Sequence, residues 1–357
     1  MSIHSVSHRP TPHRLRRGAA GASPGRGPCD TPVAQAVCRA GPSLALVKYW
    51  GKQAGRGNLP ATPSLAVTLG GVYTETRVSI PSGGPTAASQ DVVTVNGLVQ
   101  DPERYAAFFD AMRHRLGAQV RFHASSANTF PTSAGLASSS SGFAALAGAC
   151  ARAAGREVPP DELSAIARTG SASAARSVFG GFVLLPAGAR RARLLCGPEH
   201  WPDLRVVVAV TDPSQKPVPS RRAMEGSRRT SPYYAPWIRH SAKLLPPALR
   251  AVETRDLELL GETARRSYSL MHGAILGASP PLLYWLPATV AVIHACAALR
   301  AAGIGAWETI DAGPQVKILC LEKDVPSVVA RLRSLGNGIQ TLACWPGPGL
   351  QYRPAST

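Results

Sequence analysis

The 357-residue sequence predicts an α+β protein with two domains. Three observations carry that prediction. The stretch VYTETRVSI at 72–80 alternates apolar and polar residues, the pattern of an antiparallel strand with one wet face. ERYAAFFDAMRHRLG places Tyr105, Phe108, Phe109, Met112 and Leu116 on one helical face, an ordinary core stripe. Strand-like and helical runs then alternate without a regular β-α-β beat, which argues against a doubly wound sheet.

Residues 1–40 are rich in Pro, Gly, Ala, Ser and Arg and lack hydrophobic periodicity, so they read as a solvated basic tail. A transit peptide and an over-long reading frame share that make-up. Strands are expected at 43–48, 64–69, 72–80 and 92–96, then the helix just described and a strand in QVRFHASS. A helix over about 138–154, closed by Gly155, carries Phe143, Leu146, Ala147 and Cys150 at i, i+3, i+4 and i+7. Another helix starts at Asp161, and GGFVLLP reads as a strand. From LRVVVAVTD at 204 a second region begins, with helices around 243–273 and 289–302, a strand into ETIDAGPQVKILCL and a helix from about Val325 to Leu335. The expected domains are 41–200 and 201–357.

With 45% hydrophobic and 17% charged residues the chain is globular. No apolar run of membrane-spanning length and no signal-peptide pattern is present, so a soluble cytoplasmic protein is expected. Seven cysteines without a CxxC pair or zinc spacing suggest free thiols in a reducing compartment. Net charge is +18, from 39 Lys+Arg against 21 Asp+Glu, which fits either nucleic acid or an anionic small substrate. Beyond the tail the excess is spread along the chain, aromatics are only 6%, and no base-stacking run occurs. Nucleic acid therefore ranks second.

Four motifs carry chemistry. PTSAGLASSSSG at 131–142 is a loop of small residues entering a helix, whose unpaired N–H groups and dipole suit a phosphate. It is neither a Walker loop nor GxGxxG, and by itself it is equally a well-capped serine turn. LVKYWGK at 46–52 puts Lys48, Tyr49, Trp50 and Lys52 at the end of a strand, where a solvated edge is the commoner use. GSASAARS at 170–177 offers Ser171, Ser173 and Arg176, the last able to clamp a carboxylate or merely lie exposed. In ETIDAGPQVKI, Asp311 ends a strand, either bracing its own turn or holding charge beside a substrate hydroxyl.

In this order and spacing, KYWGK, PTSAGLASSSSG, GSASAARSVFGGF and DAGPQVKIL resemble the diphosphomevalonate decarboxylases of the GHMP kinase superfamily, over about residues 40–345. QKPVPSRRAM at 215–224 and MHGAILGASPPLLYW at 271–285 are weaker matches. The resemblance implies an N-terminal domain like domain 2 of ribosomal protein S5, a ferredoxin-like C-terminal domain, and a homodimer. It also implies ATP and Mg²⁺, a phosphorylated mevalonate as substrate, phosphorylation of its 3-hydroxyl, and loss of phosphate and CO₂. Carried over by motif, Asp311, Arg176 and Lys48 are catalytic, with Asp311 at the 3-hydroxyl and Arg176 on the carboxylate. Tyr49, Trp50, Gly51, Lys52, Ser171, Ala172, Ser173, Ala174, Ala175, Ser220 and Arg221 line the substrate. Gly135, Leu136, Ala137, Ser138, Ser139 and Ser140 wrap the ATP phosphates, and Ser139 is the candidate Mg²⁺ contact.

Ser43, Thr62, Pro63, Ala172, Gln315, Ser267 and Ser269 depart from the family pattern. They keep open a 5-phosphomevalonate decarboxylase and a mevalonate 3-kinase. A basic nucleic-acid-binding or regulatory protein on an inactive scaffold is the reading from another class.

Overall fold

The computed structural model describes residues 35–55, 57–81, 90–131, 135–212, 214, 218–336 and 338–354. Its first half runs β1 (Gln35–Ala40), β2 (Ser43–Val47), β3 (Ser64–Gly70), β4 (Thr74–Ser79), β5 (Val92–Val95), β6 (Leu98–Val99), α1 (Glu103–Leu116), β7 (His123–Asn128), α2 (Ser138–Ala153), α3 (Pro160–Gly170), α4 (Ala174–Ser177), β8 (Phe182–Leu185) and β9 (Arg193–Cys196). The second runs β10 (Leu204–Val210), α5 (Ser220–Thr230), α6 (Tyr234–Lys243), α7 (Leu245–Thr254), α8 (Leu257–Leu276), α9 (Pro287–Ala301), β11 (Trp307–Ile310), β12 (Val316–Leu321), α10 (Val325–Arg333), β13 (Gln340–Pro346) and β14 (Gln351–Arg353). The architecture is α+β, as expected.

Two sheets organise the molecule. One has the order β14-β1-β4-β7-β5-β6; the other runs β11-β12-β10-β13-β3-β8-β9, with β2 also on β3. The strand β13 links the halves, because it pairs antiparallel with β10 and, at Trp345 and Pro346, with β3. Close backbone approach makes that junction possible: Gly347 N donates to Thr68 O at 2.7 Å, and a Cβ on Gly347 would lie 2.4 Å from Gly70 N.

Three expectations need correcting. The basic tail does not extend to residue 40, because Gln35–Ala40 form β1, paired with β4 and β14. Ala36, Cys38 and Ala40 pack into the core under α2, and residues this small give a weak hydrophobic signal beside a Pro/Gly-rich stretch. Residues 1–34 lie outside the described residues. The C-terminal segment does not stay with the second region, since β14 returns to β1. Finally, the helix expected over 243–273 is broken. Pro246 and Pro247 open α7, Arg255 adopts φ 56°, and Asp256 caps α8 by accepting from Leu259 N at 3.0 Å.

The helix α2 keeps its predicted stripe: Phe143, Leu146, Ala147 and Cys150 are all buried against the six-stranded sheet and α1. That burial holds the N-terminus of α2 in place. Among the described residues no helix is long and apolar enough to cross a membrane, and Cys38, Cys150, Cys196, Cys296, Cys320 and Cys344 are free thiols.

Candidate active site

Asp311 follows the last residue of β11, and its side chain remains 29% exposed between two buried lysines. Lys48, just past β2, donates from Nζ to Asp311 Oδ1 at 2.7 Å and to Ala45 O at 2.9 Å. Lys317, on β12, places Nζ 3.4 Å from Asp311 Oδ2. Burial pushes the Asp311 carboxyl up, but the two ammonium groups outweigh it and hold the group well below the usual carboxylate range. Burial lowers Lys48 to about 8 against the pull of Asp311, and it lowers Lys317 as well. His272 supports the turn from behind, its Nε2–H donating to Asp311 O at 3.2 Å; burial lowers its pKa to about 4, so the ring is neutral.

The phosphate-loop candidate faces this triad. Ala137 adopts the left-handed conformation before α2, with no side-chain cap and no acid in the first turn, so the helix start is left to an anion. Gly135 has φ +63°, and a Cβ there would meet Gln315 Cγ at 2.8 Å and Lys317 Nζ at 3.2 Å. The loop backbone therefore passes directly over the Asp311 turn. Residues 132–134 of the motif lie outside the described residues. Ser140 is already engaged: its hydroxyl accepts from Ser43 N at 3.1 Å and donates to Ala137 O at 2.8 Å. Ser138 and Ser139 are half-buried. Ser139 Oγ lies 3.4 Å from Ser171 Oγ, which is 3.1 Å from Ser173 Oγ, a row of hydroxyls along the cleft. Leu136 is buried core. These donors fit ATP phosphates. Among the described residues no cluster of three His, Cys, Asp or Glu could hold a metal.

Arg176 on α4 is only 2% exposed, and among the described residues no carboxylate pairs with it. Its Nε donates to Ser43 Oγ at 3.1 Å and its Nη1 to Ser64 Oγ at 2.5 Å, while burial lowers its pKa to about 10. The departure at Ser43 thus serves to aim this guanidinium.

The KYWGK segment continues from Lys48 past Tyr49 to Lys52. Tyr49 Oη is buried without a hydrogen-bond partner and senses Arg176, Tyr234, Arg221 and Arg168. Tyr234 Oη is likewise unpartnered and lies where a Cβ on Gly51 would collide with it. Lys52 Nζ donates to Asn58 Oδ1 at 2.5 Å, and Asn58 in turn donates to Thr169 O at 2.6 Å. Arg168 is 7% exposed, bonded through Nε to Arg190 O at 2.7 Å, with Nη1 unpartnered. Arg221, exposed at the start of α5 beside half-buried Ser220, adds charge near Lys52.

Several residues expected to line the substrate are buried. Trp50 is 2% exposed in a cluster with Met224, Trp237 and Met271, and its indole N–H donates to Ser227 Oγ at 3.2 Å. Its apolar surface is better used in the core. The side chains of Ala172, Ala174 and Ala175 are buried too, leaving only their backbone to act. Gln315 ties the Asp311 turn to the end of β10, accepting from Thr211 N at 2.6 Å. Ser267 Oγ accepts from Lys48 N at 2.8 Å. Sequence reasoning missed Lys317, Arg168, Tyr234 and His272. Lys317 sits inside the ETIDAGPQVKI motif, where a lysine on a strand reads as a surface residue.

Burial, joined at Lys52 by the like charge of Arg221, brings Lys48 and Lys52 to about 8. Both lose their protons as pH rises through that value, so kcat/KM should fall above pH about 8. The fall should exceed tenfold per pH unit, since two cations are lost. A pH–rate profile flat to pH about 10, near the ordinary lysine value, would refute the assignment.

Residues 40–195 match the family profile "Diphosphomevalonate decarboxylase-like N-terminal domain" and residues 206–345 match "Mevalonate 5-diphosphate decarboxylase C-terminal domain". The chain is 33% identical to the diphosphomevalonate decarboxylase mvd1 of Aspergillus fumigatus, over 86% of this chain and 81% of that one. The human diphosphomevalonate decarboxylase is 31% identical over 91% and 86%. The crystal structure of mevalonate diphosphate decarboxylase from Staphylococcus aureus superposes with TM-score 0.83 at 33% identity, covering 90% of this chain and 98% of that one. The complex of MDDEF with MVAPP, AMPPCP and magnesium gives 0.82 at 34% identity, covering 90% and 99%.

Proposed function

Because the chain belongs to the diphosphomevalonate decarboxylase family, we propose that this cleft converts mevalonate 5-diphosphate and Mg·ATP into isopentenyl diphosphate, ADP, phosphate and CO₂ through Asp311, Lys48 and Arg176. The observation that carries the role of these residues is the Asp311 carboxylate, held between Lys48 and Lys317 beneath the Gly135 backbone. A β-hydroxy acid has no electron sink for decarboxylation, so its hydroxyl must first become a leaving group. Asp311 orients the 3-hydroxyl toward the γ-phosphoryl group and takes the proton as the new O–P bond forms and the bond to ADP breaks. The C–O pair then departs with phosphate. The C–C pair of the carboxylate becomes the double bond, and CO₂ leaves from the Arg176 side. The loop N–H groups hold the charge that develops on the transferred phosphoryl oxygens, while Lys48 holds the Asp311 carboxylate in place.

Lys52, Arg168 and Arg221, with the Tyr49 and Tyr234 hydroxyls, make a wall of cations and donors suited to a diphosphate. The same convergence of charge on a cleft favours a small anion over nucleic acid. Arg221→Ala should raise KM for the 5-diphosphate by roughly 10- to 100-fold and leave kcat within about threefold, because the terminal phosphate lies away from the breaking bonds. The KM for 5-phosphomevalonate should be unchanged, and an equal effect on both substrates would remove Arg221 from the diphosphate site.

The deciding experiment incubates purified protein with Mg·ATP and, separately, mevalonate, its 5-phosphate and its 5-diphosphate, scoring ADP and CO₂ together. One CO₂ per ADP, fastest with the 5-diphosphate, is expected. ADP without CO₂ would make the protein a 3-kinase, and faster turnover of the monophosphate would overturn the substrate.

A further inference from the structure

The two lysines on Asp311 are not equivalent. Lys48 Nζ is tightly held, with acceptors at 2.7 and 2.9 Å. Lys317 Nζ is just as buried, yet its contacts are both long: 3.4 Å to Asp311 Oδ2 and 3.5 Å to Gln315 O. An ammonium carries three donors, and a buried one is costly unless they are satisfied. The slack has a direction, because the Gly135 backbone of the phosphate loop runs over this group, close enough that a Cβ would come within 3.2 Å of Nζ. The φ of +63° and this close approach both favour glycine at position 135.

Resting on the decarboxylase reading of this cleft, we propose that Lys317 is a further catalytic residue: it steadies Asp311 from the side opposite Lys48 and donates to the γ-phosphoryl group seated on the loop. Charge supports the division of labour. One lysine neutralises Asp311, and the second leaves a surplus positive charge where the transferred group's equatorial oxygens concentrate negative charge. Lys48 is held by Asp311 and Ala45 and therefore fixes the carboxylate; Lys317, weakly held, is free to turn a donor toward phosphate.

Nitrogen-15 NMR of lysine side chains in the wild-type protein tests this without turnover. The Lys317 Nζ signal, assigned by its loss in Lys317→Arg, should shift when Mg²⁺ and β,γ-methylene ATP are added and should not shift with Mg·ADP. The same shift with both nucleotides, or with neither, overturns the proposal. In parallel, Lys317→Gln should lower the affinity ratio of β,γ-methylene ATP to ADP by about tenfold. Its kcat should fall by roughly 10²- to 10³-fold, with KM for mevalonate diphosphate within about threefold. A folded Lys317→Gln protein with an unchanged nucleotide ratio reduces Lys317 to a packing role. Because the nucleotide measurements need no decarboxylation, they stand or fall separately from the substrate assignment.

Discussion

Asp311→Asn should lower kcat by at least about 10³-fold, near 4 kcal/mol of transition-state stabilisation, while KM for mevalonate 5-diphosphate stays within about threefold. Asparagine keeps the shape of the side chain but removes the charge that both Lys48 and Lys317 face. The carboxylate is held well below its ordinary pKa, so it is a poor proton acceptor before the reaction begins. In the proposed mechanism its main work is to fix the hydroxyl in line with the phosphoryl group, and it accepts the proton only once O–P bonding has made that proton acidic. Steady-state kinetics with ADP and CO₂ scored together check the loss. Removing one partner from a buried charge cluster also costs stability, of order 3–5 kcal/mol, so a melting curve must accompany the kinetics. A folded variant with near-normal turnover would reduce Asp311 to a turn brace and remove it from the phosphoryl transfer.

The parts of this site legible in the sequence were those whose chemistry is local. Asp311, Lys48, Arg176 and the serine loop each sit in a motif of a few residues, and the structure gathers them into one cleft from β2, the α2 N-terminus, α4 and the β11–β12 turn. The stripe of α1 and that of α2 were legible for the same reason, because helical periodicity is visible within one window. What escaped depends on long-range pairing. The strand β1 became a strand through β4 and β14, the latter more than three hundred residues away, and a run of Ala and Cys does not announce such partners. Tyr234 and Arg168 reach the wall from α6 and α3, and only tertiary packing brings their free donors to Tyr49. Trp50 is the opposite case: its neighbours in sequence, Lys48 and Lys52, carry charge, while its neighbours in space are Met224 and Trp237.

Arg176→Met should cost roughly 10²- to 10³-fold in kcat/KM and should also uncouple the two half-reactions, giving less than one CO₂ per ADP. In the proposed mechanism the guanidinium holds the substrate carboxylate, and it comes already oriented by Ser43 and Ser64, so binding spends little entropy on ordering it. Without it the carboxylate is free to rotate, and the 3-phosphorylated intermediate can leave before the C–C pair is aligned with the departing phosphate. Stability should move the other way from activity. Arg176 is a buried cation with no carboxylate partner among the described residues, and burial already lowers its pKa to about 10, which marks the strain of keeping it charged there. Methionine fills similar space without that desolvation cost, although it leaves the Ser43 and Ser64 hydroxyls to find other partners. The melting temperature of Arg176→Met should therefore equal or exceed that of the wild type, the pattern of a residue kept for function at the expense of stability. If the variant instead melted several degrees lower with its CO₂ to ADP ratio still at one, Arg176 would be a structural strut between Ser43 and Ser64, and the carboxylate would need another partner in the cleft.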